Sequence, residues 1–343
     1  MTEAQLDWDQ ALYGGAWVAK GRVAVQWALN TPLLSADRTA GWARKAGDPR
    51  GRPSALRAVL AQALIFLDGP AHLESRAEAA PAFSVREVLA KKTAISAWAS
   101  DIAHALPSGG AFDLVDHYAR QVPLAVMGHW LETEVPSSPG LWKASAAVAR
   151  FLEQPSLHRG VAAEAYEALE WFAGSIRTDW PPSQAQVQRL MLLFAGLETT
   201  RHLLSLCLLR GLSRPGLWPS LASESVAQDL VHATLRSHPP IRITGRRVTR
   251  SHEAFGRRLR RGELVIADLH SAGLPFGSGP HVCLGAALTR IETMAALQAL
   301  SDHRPRLRLA AEPMASDWLK GPLYNGLTQL WAEDGQGGPL PSP

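Results

Sequence analysis

The chain has 343 residues, 46% of them hydrophobic and 19% charged, with 35 Lys+Arg against 31 Asp+Glu. That supplies ample apolar side chain for a buried core and too little charge excess for a disordered polyion. Two cysteines, Cys207 and Cys283, exclude a disulfide framework and suit a reducing compartment.

In chain order, strand-like alternation comes first at residues 16–19. Helical periodicity then predicts helices over residues 83–106, 112–131, 161–176 and 183–211. Pro181-Pro182-Ser183 opens the last of these with Ser183 as its cap, and Gly211 is expected to close it. A helix over 225–237 follows, then strands over 242–248 and 264–268, a helix over 283–300 and a short strand over 306–309. The Gly- and Pro-rich stretch 335–343 is expected to be disordered. The sum is a mainly α chain with a small β-sheet, one domain over residues 1–334. Asp7, Asp9 and Lys20 interrupt any basic-then-apolar leader pattern, and no run reaches about eighteen uninterrupted apolar residues. The expectation is a cytoplasmic protein without a membrane partner.

Only six of the 35 basic residues are Lys, and seven Arg fall between Arg246 and Arg261 against one acid, Glu253. No helix-turn-helix, zinc-finger or aromatic RNA-binding pattern accompanies the cluster, so nucleic acid is not the expected partner. A solvated face, an anion site or a docking site for an acidic partner fits it instead.

Two segments carry chemistry. In Leu274-Pro-Phe-Gly-Ser-Gly-Pro-His-Val-Cys-Leu-Gly-Ala286, the glycines and Pro280 build a tight loop ahead of a helix expected to start near Cys283. Backbone amides and the positive end of that helix would favour a thiolate, and Gly285 lets a flat partner approach closely. The second segment, Met191-Leu-Leu-Phe-Ala-Gly-Leu-Glu-Thr-Thr-Arg-His202, sets Glu198, Thr199 and His202 on an otherwise apolar helix face. A carboxylate at such a place must be satisfied or it costs several kcal/mol. The alternative is that Glu198 pairs with Arg201 on a surface. Earlier in the chain, His72 and Arg76 stand four apart and on a helix could hold one anion together. Cys207, amid Leu203, Leu204, Leu206 and Leu208, reads as core.

Phe276, Gly277, Gly279, His281, Cys283 and Gly285 match every defined position of the cysteine-loop pattern of the cytochrome P450 family, and the chain resembles that family from about residue 15 to 300. The resemblance implies haem b (iron protoporphyrin IX) as cofactor, with Cys283 as the metal ligand. It also implies that Ala195 and Gly196 make room for oxygen, that Thr199 hydrogen-bonds it, and that Glu198 relays protons. His72, Arg76, His281 and one of Arg246 or Arg247 take the propionate-binding positions; Arg247 is preferred because the residues after it align better. Phe276, Gly277 and Gly285 complete the cofactor cradle.

The chain departs from the family in three places. The stretch between Ile176 and Ser183 is short, and residues 262–276 run from a strand straight into the cysteine loop, where the family inserts tens of residues. The family's Glu-x-x-Arg motif here reads Ala233-Thr-Leu-Arg236. A buried Arg left without its acid would cost several kcal/mol, so Arg236 is expected to have found Asp229, Asp268 or a backbone carbonyl.

The function implied is a haem-thiolate monooxygenase that oxidises a small-molecule substrate with electrons from a ferredoxin or flavodoxin and its reductase. The arginine cluster is then a candidate part of the donor's docking face. The alternatives are a haem-thiolate peroxygenase, isomerase or dehydratase needing no redox partner, and a non-catalytic accessory relative.

Overall fold

The structure, a computed structural model, describes residues 5–39, 52–153, 159–214 and 216–335. The tail expected to be disordered lies, from residue 336 on, outside the described residues. The elements begin with strands β1 (Gln5–Asp9) and β2 (Ala16–Lys20), helix α1 (Arg22–Asn30) and strand β3 (Leu34–Ser35). Helices α2 (Arg52–Leu60), α3 (Gly69–Ala79), α4 (Val85–Ala90) and α5 (Lys92–His104), strand β4 (Ala111–Asp113) and helix α6 (Gln121–Trp130) follow. Next come helices α7 (Pro139–Glu153), α8 (Arg159–Ser175), α9 (Gln184–Leu212), α10 (Leu217–Ser220) and α11 (Glu224–Ser237). Strands β5 (Ile243–Val248), β6 (His252–Ala254), β7 (Arg257–Leu259) and β8 (Leu264–Asp268) precede α12 (Leu269–Ala272), α13 (Ala286–His303), β9 (Leu307–Leu309) and β10 (Trp331–Asp334).

The chain groups into two compact units: residues 1–80, 134–194 and 241–283, and residues 81–133, 195–240 and 284–343. The first is built on a five-stranded sheet ordered β1-β2-β8-β5-β3, in which β2 and β8 are parallel and the other pairs antiparallel. Val25, Ala28 and Leu29 of α1 bury one face against Ala19, Val248, Val265 and Ala267 of the strands. Successive residues of a strand point to opposite faces, so Arg246 and Arg247, facing Val265 and Leu264 on β8, are sent apart. The arginines expected on a solvated face, Arg250, Arg257, Arg258, Arg260 and Arg261, are exposed on and around the β6–β7 hairpin.

The second unit packs α13 on α5 and α11, beside a three-stranded sheet ordered β4-β10-β9. Tyr118 ties this layer together: its hydroxyl donates to Ala296 O at 2.7 Å within a fully buried site.

Several boundaries differ from the sequence reading, each for a local reason. The helix expected over 83–106 breaks at Lys91, whose ψ of 2° ends α4 before α5 starts. Residues 111–113 pair with β10 as a strand, so the next helix starts through a π-helical turn, Val115–Ala119. Ser183 does cap α9: its Oγ accepts from Gln186 N at 3.4 Å while Gln186 Oε1 accepts from Ser183 N at 2.8 Å. Gly211 does not close α9, which continues to Leu212. A Cβ there would fall 2.8 Å from Leu221 Cδ1, so the glycine makes room for packing and does not reverse the chain. Helix α9 is long and apolar enough to pass for a membrane span, and most of it is buried in the protein, as a core helix is.

Candidate active site

In the first unit, Gly277 and Gly279 adopt φ of +72° and +74°, which fold residues 274–283 back on themselves. Gly277 N donates to Leu274 O at 2.9 Å and Cys283 N donates to Phe276 O at 2.9 Å, closing the loop. A Cβ on Gly279 would lie 2.1 Å from Asn30 Oδ1, so the end of α1 holds the loop where only glycine fits. The helix expected to start near Cys283 starts at Ala286, with Gly285 as its cap residue. The Cys283 amide is spent closing the loop, and its side chain is exposed and outside any disulfide.

Helix α3 meets this loop. Arg76 Nη2 donates to Val282 O at 2.8 Å, one residue before the cysteine, and the His72 ring lies 4.0 Å from that of His281. His281 Nε2 lies 3.7 Å from Asp68 Oδ1. The Asp68 carboxylate also accepts from the Ser35 hydroxyl and from Ala36 N, which ties β3 to the start of α3. Burial pushes this carboxyl up, but His281 and Ser35 outweigh it and hold it well below the usual carboxylate range. His72 is pushed down to about 4 by burial and by the charges of His281 and Arg76, and its buried Nε2 has no hydrogen-bond partner.

Arg247, the arginine preferred from the sequence, donates through Nη1 to Gly262 O at 2.6 Å, and the charge that bears on it is Asp37. Arg246 is the buried one, 6% exposed. Burial and Arg38 lower it to about 10, and its charge is felt by both Asp68 and His72. Gly245 explains Arg38: a Cβ there would sit 2.9 Å from Arg38 Cδ, and Arg38 stacks over Phe66 at 5.1 Å. The sequence offered two adjacent arginines; only strand register tells which turns inward.

In the second unit, Glu198 does pair with Arg201, but in the interior and not on a surface. Arg201 Nη2 and Nε donate to Glu198 Oε2 at 2.8 and 3.1 Å, with the side chains 8% and 1% exposed. His202 Nε2 lies 3.4 Å from the same oxygen. Burial pushes the Glu198 carboxyl up, yet Arg201 and His202 more than offset it and hold the group ionised. Thr199 Oγ1 donates to Ala195 O at 2.8 Å, so what its oxygen offers a neighbouring ligand is an acceptor. A Cβ on Gly196 would lie 2.5 Å from Met127 Sδ, so this glycine also gives α6 room to pack. Gly285 is the opposite case. Its φ is −83°, and a Cβ would meet nothing nearer than Thr289 Oγ1 at 4.0 Å, so nothing in the chain itself demands a glycine.

The Arg236 expectation fails because its premise does. Arg236 is exposed, so water solvates the guanidinium and no acid is required; Asp268 instead caps α12 through Ser271 N at 2.9 Å. Cys207 is buried, and burial pushes its thiol up to about 12, as a core residue requires.

The sequence reading passed over Asp68, Arg38, Gly326 and Glu292. Asp68 stands four residues before His72, and Glu292 follows the cysteine by nine among apolar helix residues; both spacings were visible.

The first unit offers a test of fit for a dianionic macrocycle with a metal. His281, Arg76 and Arg246 bear on His72 together with the Asp68 carboxylate, and one of the imidazole nitrogens, His72 Nε2, is buried without a hydrogen-bond partner. Such a donor set is short of anionic charge, and an exposed thiol stands on the adjacent loop. The residues fit haem.

No family model matches the chain. It is 27% identical over 362 residues to vitamin D(3) 25-hydroxylase of Pseudonocardia autotrophica, covering 92% of this chain and 87% of that protein. It is 26% identical to cytochrome P450 107B1 of Saccharopolyspora erythraea, covering 92% and 88%. The solved structure of CYP154A1 from Streptomyces coelicolor A3(2) superposes with a TM-score of 0.76 at 25% identity, covering 96% of this chain and 94% of that one.

Proposed function

The chain belongs to the cytochrome P450 family, an oxidoreductase family that carries haem b, and from that premise we propose that it is a monooxygenase acting on a small molecule with Cys283 as the iron ligand. The observation that carries the assignment is the cysteine loop with its surplus of cationic groups. When bound, haem supplies dioxygen activation and transfer of one oxygen atom to substrate, and thiolate ligation favours O–O cleavage.

The chain's own residues divide the remaining tasks. Cys283 ligates, on a loop whose shape the left-handed glycines and the Asn30 contact determine. His72, Arg76, His281 and Arg246 bind the two propionates, with Asp68 orienting His281. Arg76 couples anion binding to the ligand loop through Val282 O. Gly285 leaves the macrocycle space for close approach. Thr199 Oγ1 accepts a hydrogen bond, and Glu198 is the fixed anion beside which protons move.

Electrons come in this reading from a ferredoxin or flavodoxin and its reductase, and the enzyme works in the cytoplasm; the bacterial origin of the relatives supports both. The exposed arginines of the β6–β7 region suit an acidic protein partner. The test is the absorption spectrum of the reduced, carbon-monoxide-bound protein. The parent is expected to give the strongly red-shifted band of a thiolate ligand and Cys283→Ala to lose it. An unchanged spectrum in the variant means that another residue holds the iron.

A further inference from the structure

Helix α9 carries an imidazole that the proposed chemistry has not used. His202 lies one turn beyond Glu198 and is 1% exposed, with Nε2 3.4 Å from Glu198 Oε2. Its other nitrogen, Nδ1, is buried without a hydrogen-bond partner. Gly326 walls that side: a Cβ there would fall 2.3 Å from Nδ1 and 2.8 Å from the His202 Cβ. Gly326 has no positive φ to justify it, so this glycine serves room and not backbone conformation. The Tyr324 ring, 5.8 Å away, completes the enclosure. The charged groups bearing on the imidazole are Glu198 and Arg201 on its own helix and Arg120 at the start of α6.

These contacts decide where the ring's proton sits. A proton on Nδ1 would be buried with no acceptor, while a bare lone pair there costs less. An imidazolium would add a third cation beside Arg201 and Arg120. The neutral ring with its proton on Nε2 remains, and that proton points at Glu198.

We propose that His202 is a positioning residue for Glu198: enclosed by Gly326 in its Nε2–H form, it can only donate, and with Arg201 it clamps the carboxylate as an anion in one orientation. Arg201 supplies the charge. His202 donates to the same oxygen, Oε2, without adding charge, so three N–H groups from Arg201 and His202 converge there and fix the carboxylate's direction. This inference rests on the monooxygenase reading for its consequence in turnover, but the tautomer and the enclosure stand independently of it.

Two measurements test it. The first is nitrogen-15 NMR of the imidazoles in the reduced, carbon-monoxide-bound holoprotein, which is diamagnetic, with the His202 signals assigned by their loss in His202→Gln. The expected pattern is a neutral Nε2–H ring that stays unprotonated from pH 8 to about 5.5, below the ordinary histidine midpoint of about 6.5. An Nδ1–H ring, or titration near the ordinary midpoint, overturns the proposal. The second compares His202→Gln, which keeps a donor, with His202→Leu, which has none. The Leu variant is expected to lose about tenfold in product formed per electron consumed, the scale of one hydrogen bond to a charged group, and to change its solvent isotope effect. The Gln variant is expected to stay within about twofold of the parent. Equal behaviour of the two variants overturns the proposal, and if the Leu variant does not fold, the NMR pattern of the parent decides. Failure of the monooxygenase reading would show separately, as a missing thiolate band in the parent.

Discussion

Glu292 provides a quantitative test of how burial governs this protein. It lies on α13 with 1% of its surface exposed, between buried Thr293 and Met294 on one side and a buried Leu288 one turn back. Its Oε1 has no hydrogen-bond partner, and burial alone raises the carboxyl from 4.5 to about 8. The folded chain therefore keeps this proton up to about pH 8 while the unfolded chain releases it near 4.5, so the folded state binds more protons throughout that window. The resulting stability is fully present below pH 4.5 and is lost as pH rises through about 8. At about 1.4 kcal/mol per unit, the difference between pH 5 and pH 7.5 comes to about 3 kcal/mol. For a chain of this length that is a drop of about 4 °C in melting temperature. Glu292→Gln keeps the shape and cannot ionise, so it should melt with a flatter pH dependence, whatever constant offset the amide introduces. The assay is thermal unfolding of the haem-loaded parent and variant from pH 5 to 8, followed by circular dichroism at one scan rate. Parallel curves for the two proteins would refute the reasoning, because they would mean the carboxylate is compensated when ionised.

The propionate assignment predicts that Arg246→Gln releases haem at least about tenfold faster, while Arg247→Gln stays within about twofold, measured by haem transfer to an acceptor globin; the reverse order would restore Arg247. Gly326→Ala should destabilise by about 1–3 kcal/mol through its clash with His202, and His202→Ala in the same chain should recover part of that cost; strict additivity in denaturant titrations would disprove the contact. Arg236→Ala should change stability by no more than about 0.5 kcal/mol, because the guanidinium is solvated; a loss of several kcal/mol by the same titration would show it to be a buried cation.

Much of the chemistry was legible before any fold was known because it is local. Glycines at 277 and 279, a cysteine at 283 and a glycine at 285 mark a tight loop whose backbone turn is set locally, and the structure shows that loop with the left-handed φ values the pattern demands, held in addition by Asn30. The Ser183 cap and the strands around Ala16, Leu264 and Leu307 were legible for the same reason. Helix α7 went unread, although its buried Leu141, Trp142, Val148 and Phe151 mark one face, because alanine-rich turns blur the contrast between faces. Strand β4 is three residues long and pairs with β10 across more than 200 positions, so a local window carries little of its signal.

From its sequence alone, then, this protein's cysteine loop, its mainly helical character, and the acid and alcohol of its long helix were already determined, since backbone conformation and side-chain periodicity act over a few residues. Tertiary structure decided the rest: that Arg246 and not Arg247 turns inward, that Gly196 makes room for Met127 and Gly326 for His202, and that Arg236 needs no partner. Each of these depends on which distant atoms fill the space beside a residue and whether water reaches it, and only the folded chain determines that.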